Sequence, residues 1–432
     1  MFGFGKNKIG TESYKGVRDF YPEDQAIQNY IFGIMRGTVE LWGYEEYNAS
    51  ILEPLDLYKS KTSQEIISEQ IYSFKDRGGR DVALRPEMTP TVARMIAKKI
   101  HDLPTPIRWY SIPNVFRYEK PQRGRLREHW QLNVDIFGVD NYLADAEIIQ
   151  IASEIMKNLG AREEDFVIKI NNRMLLEEIF KNIGVPASKR VLLLRVLDKK
   201  DKMSEDNFRS SVIDLIGNDG AVSFFENLYY GEGLLSMMQN SESAKETSKL
   251  IQTLKERGVN NLLFSPTLTR GFDYYTGIVF EVFDSNQENP RSLFGGGRYD
   301  NLIGQFSNQN IKAFGFGMGD VTTKDFLNTH NLLPELKSKI NVYICCAPDT
   351  SIENVYSLSS LFRKNNINVA IDISGKKLSD QLKKLDKKNV PFVMTIGPKE
   401  LEKNEYTLRN TKTREEIFGN IETLIRFIQE NR

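Results

Sequence analysis

The chain has 432 residues, 40% of them hydrophobic, and its 58 Lys+Arg balance 58 Asp+Glu to a formal net charge of zero. That length predicts two or three domains, and the charge balance excludes a globally basic surface, so any anion binding must be local. No apolar run reaches the roughly 18 residues that span a bilayer, and the start MFGFGKNKIG lacks a signal-peptide core, so a soluble cytoplasmic protein is expected.

Helical periodicity opens the chain in QNYIFGIMRGTVELWGY, followed by short extended runs such as ALRP and IRWYSI. Residues 115–137, VFRYEKPQRGRLREHWQLNVDIF, read as a β-hairpin that carries Arg117, Lys120, Arg123, Arg125 and Arg127. From about residue 173 the texture turns helical, in RMLLEEIFKNIG, KRVLLLRVLDK and SKLIQTLKERG, and this block looks like an insertion that ends near residue 262. Strand texture returns in DYYTGIVFEVFD and continues through the loop FGGGRYD to the Gly-alternating AFGFGMG. After the polar linker NLLPELKSK, residues 338–432 read as a separate unit in βαβαβ order, which predicts a small α/β domain behind a larger one at 1–330. Its first strand holds Cys345 and Cys346, adjacent and apolar-flanked, which suits a buried strand in a reducing compartment rather than a disulfide framework. The three histidines, His101, His129 and His330, show no metal-ligand spacing.

Residues two apart on a strand share a face, so Arg117 and Glu119 point one way and Gln131, Asn133 and Asp135 share a face on the returning strand. The loop between them, KPQRGRLRE, is too charged to bury and reads either as a solvated basic hairpin or as a contact for a polyanion. In LRPEMTP, Glu87 and Thr89 follow a strand between Pro86 and Pro90; a carboxylate held this stiffly suits an ammonium ligand, while Thr89 also suits a helix cap. LTRGFDYYTG gathers Arg270, Asp273, Tyr274 and Tyr275. Gly315, Gly317 and Gly319 alternate with period two, unlike a dinucleotide fingerprint, and clear one face of a strand. The lysine-rich helix expected at 376–388 is either a solvated face or an RNA-facing one.

Taken together, GVRDFYPED, LRPEMTP, FRYEKPQRGRLREHWQ and RGFDYYTG resemble the histidyl-tRNA synthetases, a class II aminoacyl-tRNA synthetase family, over nearly the whole chain. The resemblance implies an α+β fold: an antiparallel catalytic sheet flanked by helices, a helical insertion, and a C-terminal α/β anticodon-binding domain. It also implies a homodimer that uses the segment WGYEEYNASILEPLDLY around Pro54. The family reaction joins L-histidine to ATP, with magnesium on the phosphates, and passes the histidyl group to the 3' end of tRNA(His). By that resemblance Arg117 and Arg270 are catalytic and hold the α-phosphate from two sides, and Glu119 meets the adenine. Glu87, Thr89 and Gln131 bind the α-amino group of histidine, Asp135, Tyr274 and Tyr275 bind its imidazole, and Met88 belongs to the same histidine-binding set. Gln122 and Arg127 match positions that face the acceptor stem.

Three positions depart from the family pattern. Asp135 stands where many members have glutamate, Lys120 where the motif usually has arginine, and Thr322 where most members carry an arginine for the γ-phosphate. Lys324, two residues on, is one candidate to replace that last charge. The missing arginine also leaves open a non-catalytic relative that senses histidine or tRNA.

Overall fold

The computed structural model describes residues 10–59, 69–200, 203–229, 231, 233–269, 274–383, 385 and 389–431. The chain divides into two compact units, Met1–Leu333 and Pro334–Arg432.

In the first unit the strands are, in chain order, β1 (Glu45–Glu46), β2 (Leu52–Pro54), β3 (Tyr72–Lys75), β4 (Asp81–Leu84), β5 (Ile107–Ser111) and β6 (Asn114–Phe116). They continue with β7 (Glu128–Phe137), β8 (Phe166–Asn172), β9 (Leu262–Phe264), β10 (Ile278–Asp284), β11 (Ser292–Arg298) and β12 (Ala313–Gly319). The large sheet runs β1-β5-β7-β12-β11-β10-β8-β9 with β6 on the end of β7, and β2-β4-β3 form a small second sheet. From β5 to β8 every neighbouring pair is antiparallel. This is an α+β architecture built on a largely antiparallel sheet, as expected.

The helix Pro22–Leu41 starts earlier than the apolar run suggested, because Pro22 occupies the first turn beside Glu23 and Asp24, which complement the helix dipole. Ile31, Met35 and Val39, one turn apart, bury its inner face in the main core with the helix Tyr142–Asn158. Between β8 and β9 lie the helices Arg173–Asn182, Ala187–Asp198, Glu205–Tyr229, Gly233–Met237 and Glu242–Glu256, the third broken at Gly217, where φ is +76°.

The expected hairpin is shorter on its incoming side. Strand β6 ends at Phe116, because the backbone N–H of Tyr118 donates to Gln70 O at 2.6 Å and draws the chain off the β7 ladder. Arg117 and Glu119 therefore lie on irregular backbone, not on a pleated strand. Thr89 is likewise not the cap of its helix, Thr89–Lys98: it is the first helical residue, after Met88.

The second unit has its own core. Its strands β13 (Val342–Cys346), β14 (Val369–Ile371), β15 (Phe392–Ile396), β16 (Tyr406–Asn410) and β17 (Glu416–Gly419) order as β14-β13-β15-β16-β17. The first three are parallel, as the βαβαβ pattern predicts; β16 and β17 add an antiparallel edge that the pattern did not include. Cys345 and Cys346 are both buried free thiols, and burial pushes Cys345 up to about 12. Of the expected lysine-rich helix, Leu378–Lys383 is helical, and Lys384 and residues 386–388 lie outside the described residues.

Candidate active site

The site grows from the pairing of β7 with β12. Their register sets Gly315 opposite Asp135, Gly317 opposite Asn133 and Gly319 opposite Gln131. A Cβ at 315 would stand 2.0 Å from Asp135 Oδ1, and one at 317 would stand 2.6 Å from Gln131 Nε2. The period-two glycines thus clear room for side chains arriving from the neighbouring strand, so that β7 can lay Gln131, Asn133 and Asp135 along the floor of one pocket.

At one end of that pocket Asp135 is buried and accepts from the hydroxyl of Tyr299. Burial raises its carboxyl to about 7, against the opposing pull of the Tyr299 hydrogen bond. Glu87, also buried, accepts from Tyr274 Oη at 3.1 Å, and the rings of Tyr274 and Tyr275 lie 4.9 Å apart. Tyr274 thus reaches Glu87, and the phenol on Asp135 belongs to Tyr299, a residue the sequence offered only as part of the loop FGGGRYD. Gly297 makes way for Tyr275: a Cβ there would meet its ring at 2.7 Å. Thr89 lines the pocket, whereas the Met88 side chain is fully buried in the hydrophobic cluster beneath it.

At the other end, Arg117 lines the pocket with its Nε donated to Pro86 O at 2.9 Å. That single anchor fixes the guanidinium plane, and its terminal nitrogens have no partner among the described residues. Glu119 lines the same end, and its Oε2 accepts from Arg125 Nη1 at 3.4 Å. His129 is a second wall residue that the sequence did not single out. Burial and the nearby cations Arg117 and Arg18 push its imidazole down to about 3, so it is neutral at physiological pH. Arg270 and Asp273 lie outside the described residues.

The remaining positions divide. Gln122 is exposed on the hairpin loop and accepts from Arg291 Nη2 at 3.2 Å. Arg127 is buried: its guanidinium lies 4.0 Å from the Tyr118 ring centroid, donates from Nη1 to Tyr14 Oη at 3.0 Å, and donates from Nε to Glu119 O at 3.2 Å. The N-terminal segment closes this cage, since Gly16 O accepts from the Arg127 N–H at 2.7 Å, and a Cβ at Gly16 would stand 2.8 Å from Arg127 Cγ. In this conformation Arg127 props the hairpin and does not point outward. Thr322 lines the pocket with its hydroxyl donated to Leu293 O at 2.8 Å. Lys324 pairs with Asp24 at 3.2 Å on the helix Pro22–Leu41 and does not line the pocket, so it is not the replacement for the missing charge at 322.

A pocket with a buried carboxylate at each of two polar subsites and an anchored arginine at its far end suits a zwitterion with a ring nitrogen next to a phosphate chain. The profile of histidyl-tRNA synthetase matches residues 16–320, and that of an anticodon binding domain matches 341–431. The chain belongs to the histidyl-tRNA synthetase family. It is 42% identical over 431 residues to a histidine–tRNA ligase of Leptospira biflexa, covering 98% of this chain and 99% of that one. To a histidine–tRNA ligase of Thermoplasma volcanium it is 36% identical, covering 97% and 99%. In structure it is similar to a histidyl-tRNA synthetase from Nostoc sp. PCC 7120, with a TM-score of 0.83, 22% identity, and coverage of 98% and 100%, a likeness that speaks for the fold. As a family member the chain is an aminoacyl-tRNA ligase, with ATP as a substrate.

Proposed function

We propose that this histidine–tRNA ligase works through the pocket on β7 and β12. Glu87, Thr89 and Gln131 hold the α-ammonium of L-histidine, and Asp135, positioned by Tyr299, accepts from the imidazole. Arg117 faces the α-phosphate of ATP, with Arg270 assigned to its other side by the family resemblance alone, and Glu119 serves the adenine. The observation that carries this reading is the convergence of Glu87, Gln131, Asp135 and Arg117 on one pocket.

In the first step a carboxylate oxygen of histidine attacks the α-phosphorus and pyrophosphate leaves. Two anions meet there, so the anchored guanidinium of Arg117 stabilises the charge that builds on the phosphate oxygens. Magnesium enters this reading as part of the substrate, carried on the triphosphate. In the second step a ribose hydroxyl at the 3' end of tRNA(His) attacks the carbonyl of the adenylate and AMP leaves. Gln122 on the exposed loop is assigned to the acceptor stem and the second unit to the anticodon. Arg127 would serve the same stem only after leaving its cage of tyrosines.

A homodimer through the segment around Pro54 belongs to the same reading; Leu52 and Phe74, large apolar side chains on β2 and β3, are exposed. Among the described residues no helix is long and apolar enough to cross a membrane, and the reaction belongs in the cytoplasm, where its tRNA is.

Histidine-dependent exchange of pyrophosphate into ATP, followed by charging of tRNA(His), tests the proposal. One observation favours a second reading, a non-catalytic histidine sensor: position 322 is threonine. Binding of histidine without any exchange would establish the sensor and end the ligase reading.

A further inference from the structure

Strand β8 ends in Asn171 and Asn172, and Arg173 opens the helix Arg173–Asn182 directly behind it. Asn171 is fully buried and donates from Nδ2 to Pro266 O at 3.1 Å and to Leu268 O at 2.7 Å. Arg173 donates from Nη2 to Thr269 O at 3.3 Å, from Nη1 to Tyr275 O at 3.0 Å, and from its backbone N–H to Gly277 O at 3.0 Å. Its guanidinium carbon lies 6.0 Å from the centroid of the Tyr275 ring. The Thr269 and Tyr275 carbonyls belong to the two flanks of the segment that brings Tyr274 and Tyr275 to the pocket. One planar guanidinium thus ties the flanks to each other and to the end of β8.

The two tyrosines need such a tie, because neither stands on a strand or helix: β10 begins only at Ile278. With no ladder to set their backbone, contacts from neighbouring elements must do so. Thr276 N–H donates to Arg298 O at 2.7 Å, which fixes the residue after the pair. Arg173 fixes the carbonyl just before it. What depends on this placement is local to one end of the pocket: Tyr274 Oη reaches Glu87 at 3.1 Å, and Tyr275 fills the space that Gly297 leaves. Arg173 does not itself line the pocket, so any effect it has on a ligand passes through these residues.

Resting on the ligase reading, we propose that Arg173 is a positioning residue for L-histidine: by bridging the Thr269 and Tyr275 carbonyls it sets where Tyr274 and Tyr275 stand in the pocket, and so how the amino acid fits. A charged donor on a carbonyl is stronger than a neutral one, and the fork of the guanidinium serves two carbonyls at once, which an ammonium cannot match. The opposite end of the pocket is held separately, by the anchor of Arg117 on Pro86 O. Loss of Arg173 is therefore felt by histidine and not by ATP.

The test is calorimetric binding of L-histidine together with histidine-dependent pyrophosphate exchange, both on the full-length chain and with each substrate varied in the exchange. Arg173→Met keeps the aliphatic stem and removes the donors; Kd and KM for histidine should rise about tenfold, with KM for ATP unchanged. Arg173→Lys keeps a single contact and should show about a threefold rise with a wild-type thermal midpoint, which separates position from folding. Arg173→Met combined with Tyr274→Phe should raise KM for histidine by less than the product of the single effects, because both act on the contact with Glu87. Wild-type affinity for histidine in both Arg173 variants, an equal rise in the two KM values, or effects that multiply in the double variant would overturn the proposal. Histidine binding without exchange in the wild type would instead overturn the ligase reading, and the change in Kd would still decide the role of Arg173.

Discussion

Tyr299 donates its hydroxyl to Asp135 on the floor of the pocket, and both side chains are buried. Tyr299→Phe keeps the ring contacts with Phe137 and Tyr274 and removes only that donor. Taking one partner from a buried carboxylate costs about 1–3 kcal/mol. KM for histidine should therefore rise roughly tenfold, with KM for ATP unchanged, as measured by exchange with each substrate varied in turn.

The same carboxyl sets a pH dependence. An unfolded aspartate titrates near ~4, whereas burial holds folded Asp135 near about 7. Between those values the folded chain keeps a proton that the unfolded chain has lost, so stability from this residue is full below ~4 and falls as pH rises through about 7. The slope is at most roughly 1.4 kcal/mol per pH unit. Because Asp145 is raised to about 7 in the same way and His129, held down to about 3, gives the opposite slope, the reading is the difference in urea midpoint between wild type and Asp135→Asn, which should shrink as pH rises towards about 7.

Glycine spacing on β12 gives a paired comparison. Gly315→Ala forces a Cβ against Asp135 Oδ1 and the Val134 carbonyl, whereas at Gly319 the nearest atoms are 3.6 and 3.8 Å away, ordinary contact. The first substitution should cost about 1–3 kcal/mol and most of the affinity for histidine. The second should lie close to wild type in thermal midpoint and in exchange rate.

How much of this was legible in the sequence depends on how far each residue's partners lie along the chain. Glu87, Thr89, Gln131 and Asp135 were readable because strand alternation and flanking prolines are local signals. The period-two glycines were readable as a cleared face, but not what fills it: Asp135 comes from a strand paired across a long stretch of chain. Tyr299 escaped notice because its only local mark is a turn after β11, and the bond that matters reaches back to β7. Arg127 looked like a free loop cation, since nothing near it in the sequence shows that Tyr14 and Tyr118 will enclose it. The end of β6 at Phe116 was hidden for the same reason, because Gln70 takes the next hydrogen bond.

Arg117→Ala should lower the rate of exchange by about a hundredfold or more, the usual loss for one charge-stabilising donor. Arg117→Lys should recover only part of it, since an ammonium cannot hold the Pro86 carbonyl and present a planar pair of donors at the same time. Circular dichroism and thermal melts should match wild type in both variants.

Each of the two units has a hydrophobic core of its own. A chain ending at Leu333 should therefore fold and keep histidine-dependent exchange, while its charging of tRNA(His) falls far more. Equal loss of both activities in a folded fragment would contradict the assignment of the anticodon to the second unit.

The cage around Arg127 bears on the order in which the molecule can be finished. Gly16 and Tyr14 close it from the N-terminal side, and Arg18 pairs with Asp320, a residue 302 positions later. Tyr14 and Gly16 need only the hairpin at Arg127, whereas Arg18 waits for a partner made 302 residues later. Until the residues just beyond β12 have been made, the segment can meet Arg127 but lacks its anchor at Asp320. The brace on the hairpin is therefore locked at Arg18 only when nearly all of the first unit has been synthesised.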